Sequence, residues 1–210
     1  FNTRRPDILT PENLMGIKRQ IGVYQKAKKP LLFNELKLII KVIEKSSESD
    51  FKKLRDKSLI LVGFSGGFRR SELVSITRDD IEFVKEGVKI FVKKSKSDQS
   101  GEGMVKAIPS FKYVEYCPVV NLRNWMFENK DQRIFPISDK NVALIIKKYA
   151  LKAGLDGKKY AGHSLRSGFA TVTAELGANE RNIMTMTGHK SVEMVRRYIK
   201  AVSYTHLTLP

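Results

Sequence analysis

Three short basic motifs and one tyrosine hold most of the chemistry this chain offers. The first is Gly67-Phe68-Arg69-Arg70-Ser71-Glu72-Leu73. An arginine just after a Gly66-Gly67 break can project from a helix end, and its rigid fork binds a phosphate bidentately. Read alone, the segment also fits a surface arginine with Glu72 as its salt-bridge partner. The second motif is His163-Ser164-Leu165-Arg166. Positions i and i+3 share a helix face, so imidazole and guanidinium can converge on one point. By itself it equally fits a capping Ser164 with two incidental polar neighbours. The third is Gly188-His189, followed nine residues later by Tyr198 in Arg196-Arg197-Tyr198. A lone tyrosine on an amphipathic helix is more often packing, and a phenol with a pKa near 10 needs help to act as a nucleophile. Taken together, the motifs supply guanidinium clamps, imidazoles and a phenol, a set suited to attack on a phosphate ester.

Composition points to the same kind of partner. Lys and Arg total 39 against 22 Asp and Glu, a formal charge of +17 over 210 residues. A polyanion is the natural counterpart, since each neutralised phosphate releases condensed counterions. An anionic membrane surface is the weaker alternative, because no basic amphipathic helix stands out beside the charge. No apolar run reaches the ~20 residues of a bilayer span. Phe1-Asn2-Thr3-Arg4-Arg5-Pro6 does not read as a secretory leader and lacks an initiator Met, so a fragment of a longer cytoplasmic, nucleoid-associated protein is expected. Cys117 is the only cysteine, which rules out a disulfide within the chain and reads as buried filler.

The elements that must position these groups follow from apolar periodicity. Residues 1–29 are polar and basic and read as a linker or the remnant of a preceding domain. Leu36, Ile39, Ile40 and Ile43 recur at helical spacing, and a second helix is expected over 51–64, ended by Ser65-Gly66-Gly67. A short helix resumes over 70–76. Segments 81–84 and 88–92 alternate as strands, 93–103 reads as an exposed turn, and 104–108 as the returning strand. Helices are expected over 118–128, 139–153, 164–176, 179–186 and 191–199. The fold class is therefore mainly α with a small antiparallel β-sheet (α+β).

In order, spacing and context these motifs resemble the tyrosine recombinase (phage integrase) family over roughly residues 30–200. The segment 64–73 resembles its first-arginine box. Gly162 to Arg166 resembles its His-x-x-Arg box, and Thr187-Gly188-His189-Lys190-Ser191 through Tyr198 its last box. The resemblance implies a catalytic domain over 30–200 that cleaves and rejoins DNA through a 3′-phosphotyrosyl bond. It implies Tyr198 as nucleophile, Arg69 and Arg166 as clamps on the non-bridging oxygens, and His189 as a further hydrogen-bond donor. His163 would orient the phosphate and help accept the tyrosine proton. Lys96, in the Ser95-Lys96-Ser97-Asp98 hairpin, would protonate the leaving 5′-oxygen. It is the nearest match among Lys93, Lys94, Lys96 and Lys106. Glu72 would position His163 or Arg69, and Arg70, Arg196 and Arg197 would contact DNA.

No metal, ATP or other cofactor is expected, because two arginines supply the charge that a metal pair supplies in many nucleases and no P-loop is present. The expected partner is double-stranded DNA, bound as a homotetramer by a full-length protein and as a monomer by this fragment, with no membrane. Residues 1–29 are too short for the family's clamp domain, and 201–210, with Tyr204 as a rival nucleophile at the wrong spacing, reads as a tail of uncertain origin. A type IB topoisomerase-like strand transferase and a non-catalytic DNA-binding relic of a mobile element remain as alternatives.

Overall fold

Leu36, Ile39, Ile40 and Ile43 all point inward from the first helix, α1 (Phe33–Lys45), and each is essentially inaccessible to solvent. The computed structural model describes residues 28–93, 103–189, 191, 193, 195 and 196. Expectations for 1–27, for most of the 93–103 turn and for 201–210 lie outside the described residues. Glu35 closes the α1 N-terminus by accepting the Leu32 backbone N–H at 3.0 Å, and Ser46 ends the helix by bonding the Ile43 carbonyl.

The core is built around α2 (Asp50–Ser65), buried continuously from Ser58 to Ser65. An element hidden on all sides must be nearly free of charge at its centre, and Leu59-Ile60-Leu61-Val62 meets that demand. The Gly66-Gly67 turn follows. Gly67 sits at φ +56°, a conformation that a side chain resists. The chain then enters α3 (Arg70–Ser75), one residue shorter than expected.

The sheet is β1 (Ile81–Val84), β2 (Gly87–Val92) and β3 (Met104–Pro109), antiparallel in the order β1-β2-β3. Ile90 lies opposite Lys106, and Val88 opposite Ile108. Alternation sends Val88, Ile90, Val92, Lys106 and Ile108 inward. The helices α4 (Pro118–Glu128) and α5 (Asp139–Lys152) follow. Trp125 of α4 is fully buried and donates its indole N–H to the Ile134 carbonyl at 2.7 Å. Tyr149 of α5 donates to Asp56 of α2 at 2.9 Å, so a buried carboxylate is satisfied across the core.

The last two complete helices are α6 (Gly162–Glu175) and α7 (Glu180–Thr187). The former begins two residues earlier than apolar periodicity alone suggested, because Ser164 Oγ accepts the Ala161 N–H at 3.1 Å and draws Gly162 and His163 into the first turn. Glu193, Val195 and Arg196 are helical, and Val195 is fully buried against Ala170 and Ile183. Three short 3-10 turns, at 78–80, 114–116 and 157–159, carried no periodic signal. The architecture is mainly helical with one small antiparallel sheet, as expected. Cys117 is a free, buried thiol that accepts the Phe111 N–H.

Candidate active site

Arg69 is held from two sides. Its Nη1 donates to Glu72 Oε1 at 2.5 Å while Glu72 Oε2 accepts the Arg69 backbone N–H at 2.9 Å. This closes the first turn of α3 around one carboxylate, which ties the Arg69 side chain to its own backbone. Arg69 Nη2 also donates to the Gly188 carbonyl at 3.2 Å, across 119 residues of sequence. Gly188 sits at φ +61° and caps α7, turning the chain back so that His189 faces the arginines.

Arg166 is buried to 1% exposure, unusual for an arginine, and its Nη1 donates to the Gly67 carbonyl at 3.2 Å. His163 stands three residues earlier on the same face, itself exposed. Each of the other two boxes therefore touches the first one. Arg69 reaches the Gly188 turn, and Arg166 reaches the Gly67 turn. His189 Nδ1 lies 2.7 Å from Thr187 Oγ1, and that hydroxyl is 2.5 Å from the Ile183 carbonyl.

The electrostatics follow from this crowding of cations. Although part of the His163 ring surface is exposed, the protein atoms packed around it strip away some of its hydration, and this partial desolvation, then the charges of Arg166 and Arg69, lower its pKa below the usual 6.5. For His189, burial together with Arg166, Arg69, His163 and Lys106 pushes the value down to about 4, so the ring is neutral at pH 7. Burial alone would raise the Glu72 pKa, but the charge of Lys106 and the two bonds from Arg69 outweigh it and hold the carboxyl below 4.5. A cluster of cations around one committed carboxylate is a site for an anion. Among the described residues no group of three or more His, Cys, Asp or Glu is placed to hold a metal ion.

Other expected residues fall as follows. Arg70 is half-exposed and paired with Asp139 at 3.2 Å, and Arg196 is paired with Glu180 at 3.1 Å. Lys96, Arg197 and Tyr198 lie outside the described residues, as do Lys94 and Tyr204. Lys93 pairs with Asp80 at 2.8 Å, on the sheet side. Thr187 was not singled out and gave no signal beyond standing in the last box. Lys106 was weighed against Lys96 as a proton donor, but its burial was not anticipated, although strand alternation puts it on the same face as Met104 and Ile108, which is the core face.

Comparison with known proteins points to one family. A relative from Selenomonas ruminantium, described as an integrase/recombinase xerD homolog, is 43% identical over 201 residues, covering 89% of this chain and 58% of the relative. The chain spans about half the length of the curated relatives it matches. Among solved structures, the XerH site-specific recombinase bound to palindromic difH substrate, in a post-cleavage complex, is similar with a TM-score of 0.67 at 21% identity, over 82% of this chain and 50% of that one. The XerA recombinase is similar with a TM-score of 0.66 at 18% identity, over 99% and 86%. Residues 29–204 match the phage integrase family, and with its three basic boxes joined in space the chain belongs to that family.

Proposed function

We propose that this chain carries the catalytic site of a site-specific DNA recombinase that cuts and rejoins strands through a bond from Tyr198 to a 3′-phosphate. The observation that carries the reading is the pair of cross-box bonds, Arg69 to the Gly188 carbonyl and Arg166 to the Gly67 carbonyl. They bring two guanidiniums and two imidazoles together, and Tyr198 follows His189 by nine residues in the sequence.

In this reading the Tyr198 oxygen attacks phosphorus as the bond to the 5′-oxygen breaks. His163 helps take the phenol proton, and Lys96 gives one to the departing oxygen. Arg69 and Arg166 hold the non-bridging oxygens where charge builds, and His189 adds a hydrogen bond to the same group. The ester energy is kept in the phosphotyrosine, so the reverse attack by a 5′-hydroxyl reseals DNA without ATP. Of the lysines in or beside the hairpin, Lys93 is engaged with Asp80 and Lys106 is buried, which leaves Lys94 and Lys96, and the Ser95-Lys96-Ser97-Asp98 context favours Lys96 as the proton donor. Arg70, Arg196 and Arg197 contact the DNA backbone, the first two by exchanging a carboxylate partner for phosphate. The complete protein works as a homotetramer on duplex DNA in the cytoplasm, at the nucleoid.

The test is covalent trapping. The gene's complete product is mixed with nicked duplexes from its own flanking DNA, without metal or ATP, and resolved on denaturing gels. A protein–DNA adduct is expected, and Tyr198→Phe is expected to abolish it. DNA binding without an adduct in the native protein would overturn the reading and favour a non-catalytic relic. Relaxation of supercoils with no exchange between duplexes would reassign it to a topoisomerase-like reaction.

A further inference from the structure

Lys106 is fully buried, with no exposed surface at all. A methionine or leucine would fill the same slot on β3, and removing an ammonium from water costs several kcal/mol unless it is well partnered. Its partners are unusually specific. Nζ donates to the Gly66 carbonyl at 2.9 Å, to the Gly67 carbonyl at 3.4 Å, and to the Met186 carbonyl. Three N–H bonds use the full donor set of an ammonium. The same atom lies 4.7 Å from the centre of the Phe68 ring and 3.9 Å from Glu72 Oε2. Lys106 thus grips residues 66, 67 and 68 in succession, directly before Arg69, and also Met186, three residues before His189.

Burial, opposed by Glu72 and reinforced by Arg166 and Arg69, brings the lysine pKa down to about 7. The three carbonyls favour the charged form, since a neutral amine would turn a lone pair on one of them. Lys106 cannot also reach a leaving oxygen while these bonds are made. Its place is behind the arginines, at the seam where the Gly66–Gly67 turn meets the end of α7. Without the ammonium, three carbonyls would face one another in a dry space, and the two turns would move apart.

We propose that Lys106 is a positioning residue of the strand-transfer site, whose buried ammonium fixes the separation between the turn leading to Arg69 and the turn leading to His189. That separation is the gap into which the scissile phosphate fits. The proposal rests on the recombinase reading above. A displacement of about 1 Å in such a constellation slows chemistry by roughly 100-fold, while contacts to the rest of the duplex are untouched.

The experiment compares native protein, Lys106→Met and Lys106→Arg, each as the gene's complete product. Readouts are DNA affinity, single-turnover adduct formation at saturating protein, and folded fraction by near-ultraviolet circular dichroism. Adduct formation by the native protein is the control for the recombinase reading, so its absence indicts that reading and not Lys106. The expected result is that Lys106→Met binds DNA within about threefold of native but forms adduct roughly 30-fold to 100-fold more slowly. Lys106→Arg, which keeps charge and donors, recovers at least part of the rate. Adduct formation by Lys106→Met within about threefold of native would overturn the proposal. So would a loss that only tracks the folded fraction in both variants. If Lys106→Met does not fold, a Lys106→Gln variant, which keeps a donor but not the charge, decides. Slowed cleavage with native affinity supports positioning, and a fully native rate assigns Lys106 to folding alone and overturns it.

Discussion

Glu72→Gln isolates the charge of a single buried carboxylate at nearly constant shape. In the native protein that carboxylate accepts two bonds from Arg69 and faces Lys106 at 3.9 Å. At an effective dielectric of about 20, a pair of unit charges at this distance attracts by roughly 4 kcal/mol. Removing one member of a buried pair strands the other, at a measured cost of about 3–5 kcal/mol. Gln keeps one acceptor for the Arg69 N–H groups, which retains about 1 kcal/mol. The net expectation is a loss of about 2–4 kcal/mol at pH 7, read from the urea midpoint of the 210-residue chain. The pH dependence sharpens the test. The Glu72 pKa is depressed below 4.5, so its contribution is complete above that value and disappears as pH falls through the folded-state pKa. Native and variant should therefore converge in acid, where a protonated glutamate resembles glutamine. Adduct formation should fall by roughly tenfold or more at pH 7, because Arg69 loses the carboxylate that aims it. A loss below about 1 kcal/mol with native cleavage, or a gap that persists in acid, would refute the reasoning.

Two further outcomes are expected. Thr187→Val removes the hydroxyl beside His189 Nδ1 while filling the same space. Because the ring is neutral at pH 7, this hydroxyl decides which nitrogen carries the proton. The variant should shift the His189 ring 15N resonances and slow adduct formation by about tenfold with DNA affinity kept, and unchanged resonances would sink the idea. Separately, both His163 and His189 have folded-state pKa values below 6.5. The stability they contribute is complete above 6.5 and is lost as pH falls, for His189 down to about 4. Urea midpoints should decline across that window, and His189→Gln should flatten the decline. An equal slope in the variant would exclude His189 as the cause.

The helices that carry the site were legible because each has a one-sided or continuous apolar pattern and a local stop. The Gly66-Gly67 break, the Ser164 turn and the Gly188 cap are all short-range devices, and the backbone adopts them where the residues imply. The three 3-10 turns were not legible, since three residues contain no period. Arg70 and Arg196 were among the expected DNA contacts. Their carboxylate partners, Asp139 and Glu180, sit on other helices and carry no mark of the pairing in the sequence.

By itself the sequence named the candidate groups of the site. Arg69, His163, Arg166, His189 and Tyr198 come from the order of the boxes and their resemblance to the family, and within a box covalent distance along a helix sets which side chains share a face. Only the tertiary structure decided how the boxes meet. The Arg69 bond to the Gly188 carbonyl spans 119 residues, and the Arg166 bond to the Gly67 carbonyl spans 99. It also decided that Lys106, one of several lysines near a hairpin, lies dry beneath both arginines with its donors on three carbonyls. Residue type states that a lysine can donate. Whether water or the backbone receives those donors depends on what packs over it, and packing is a property of the assembled chain.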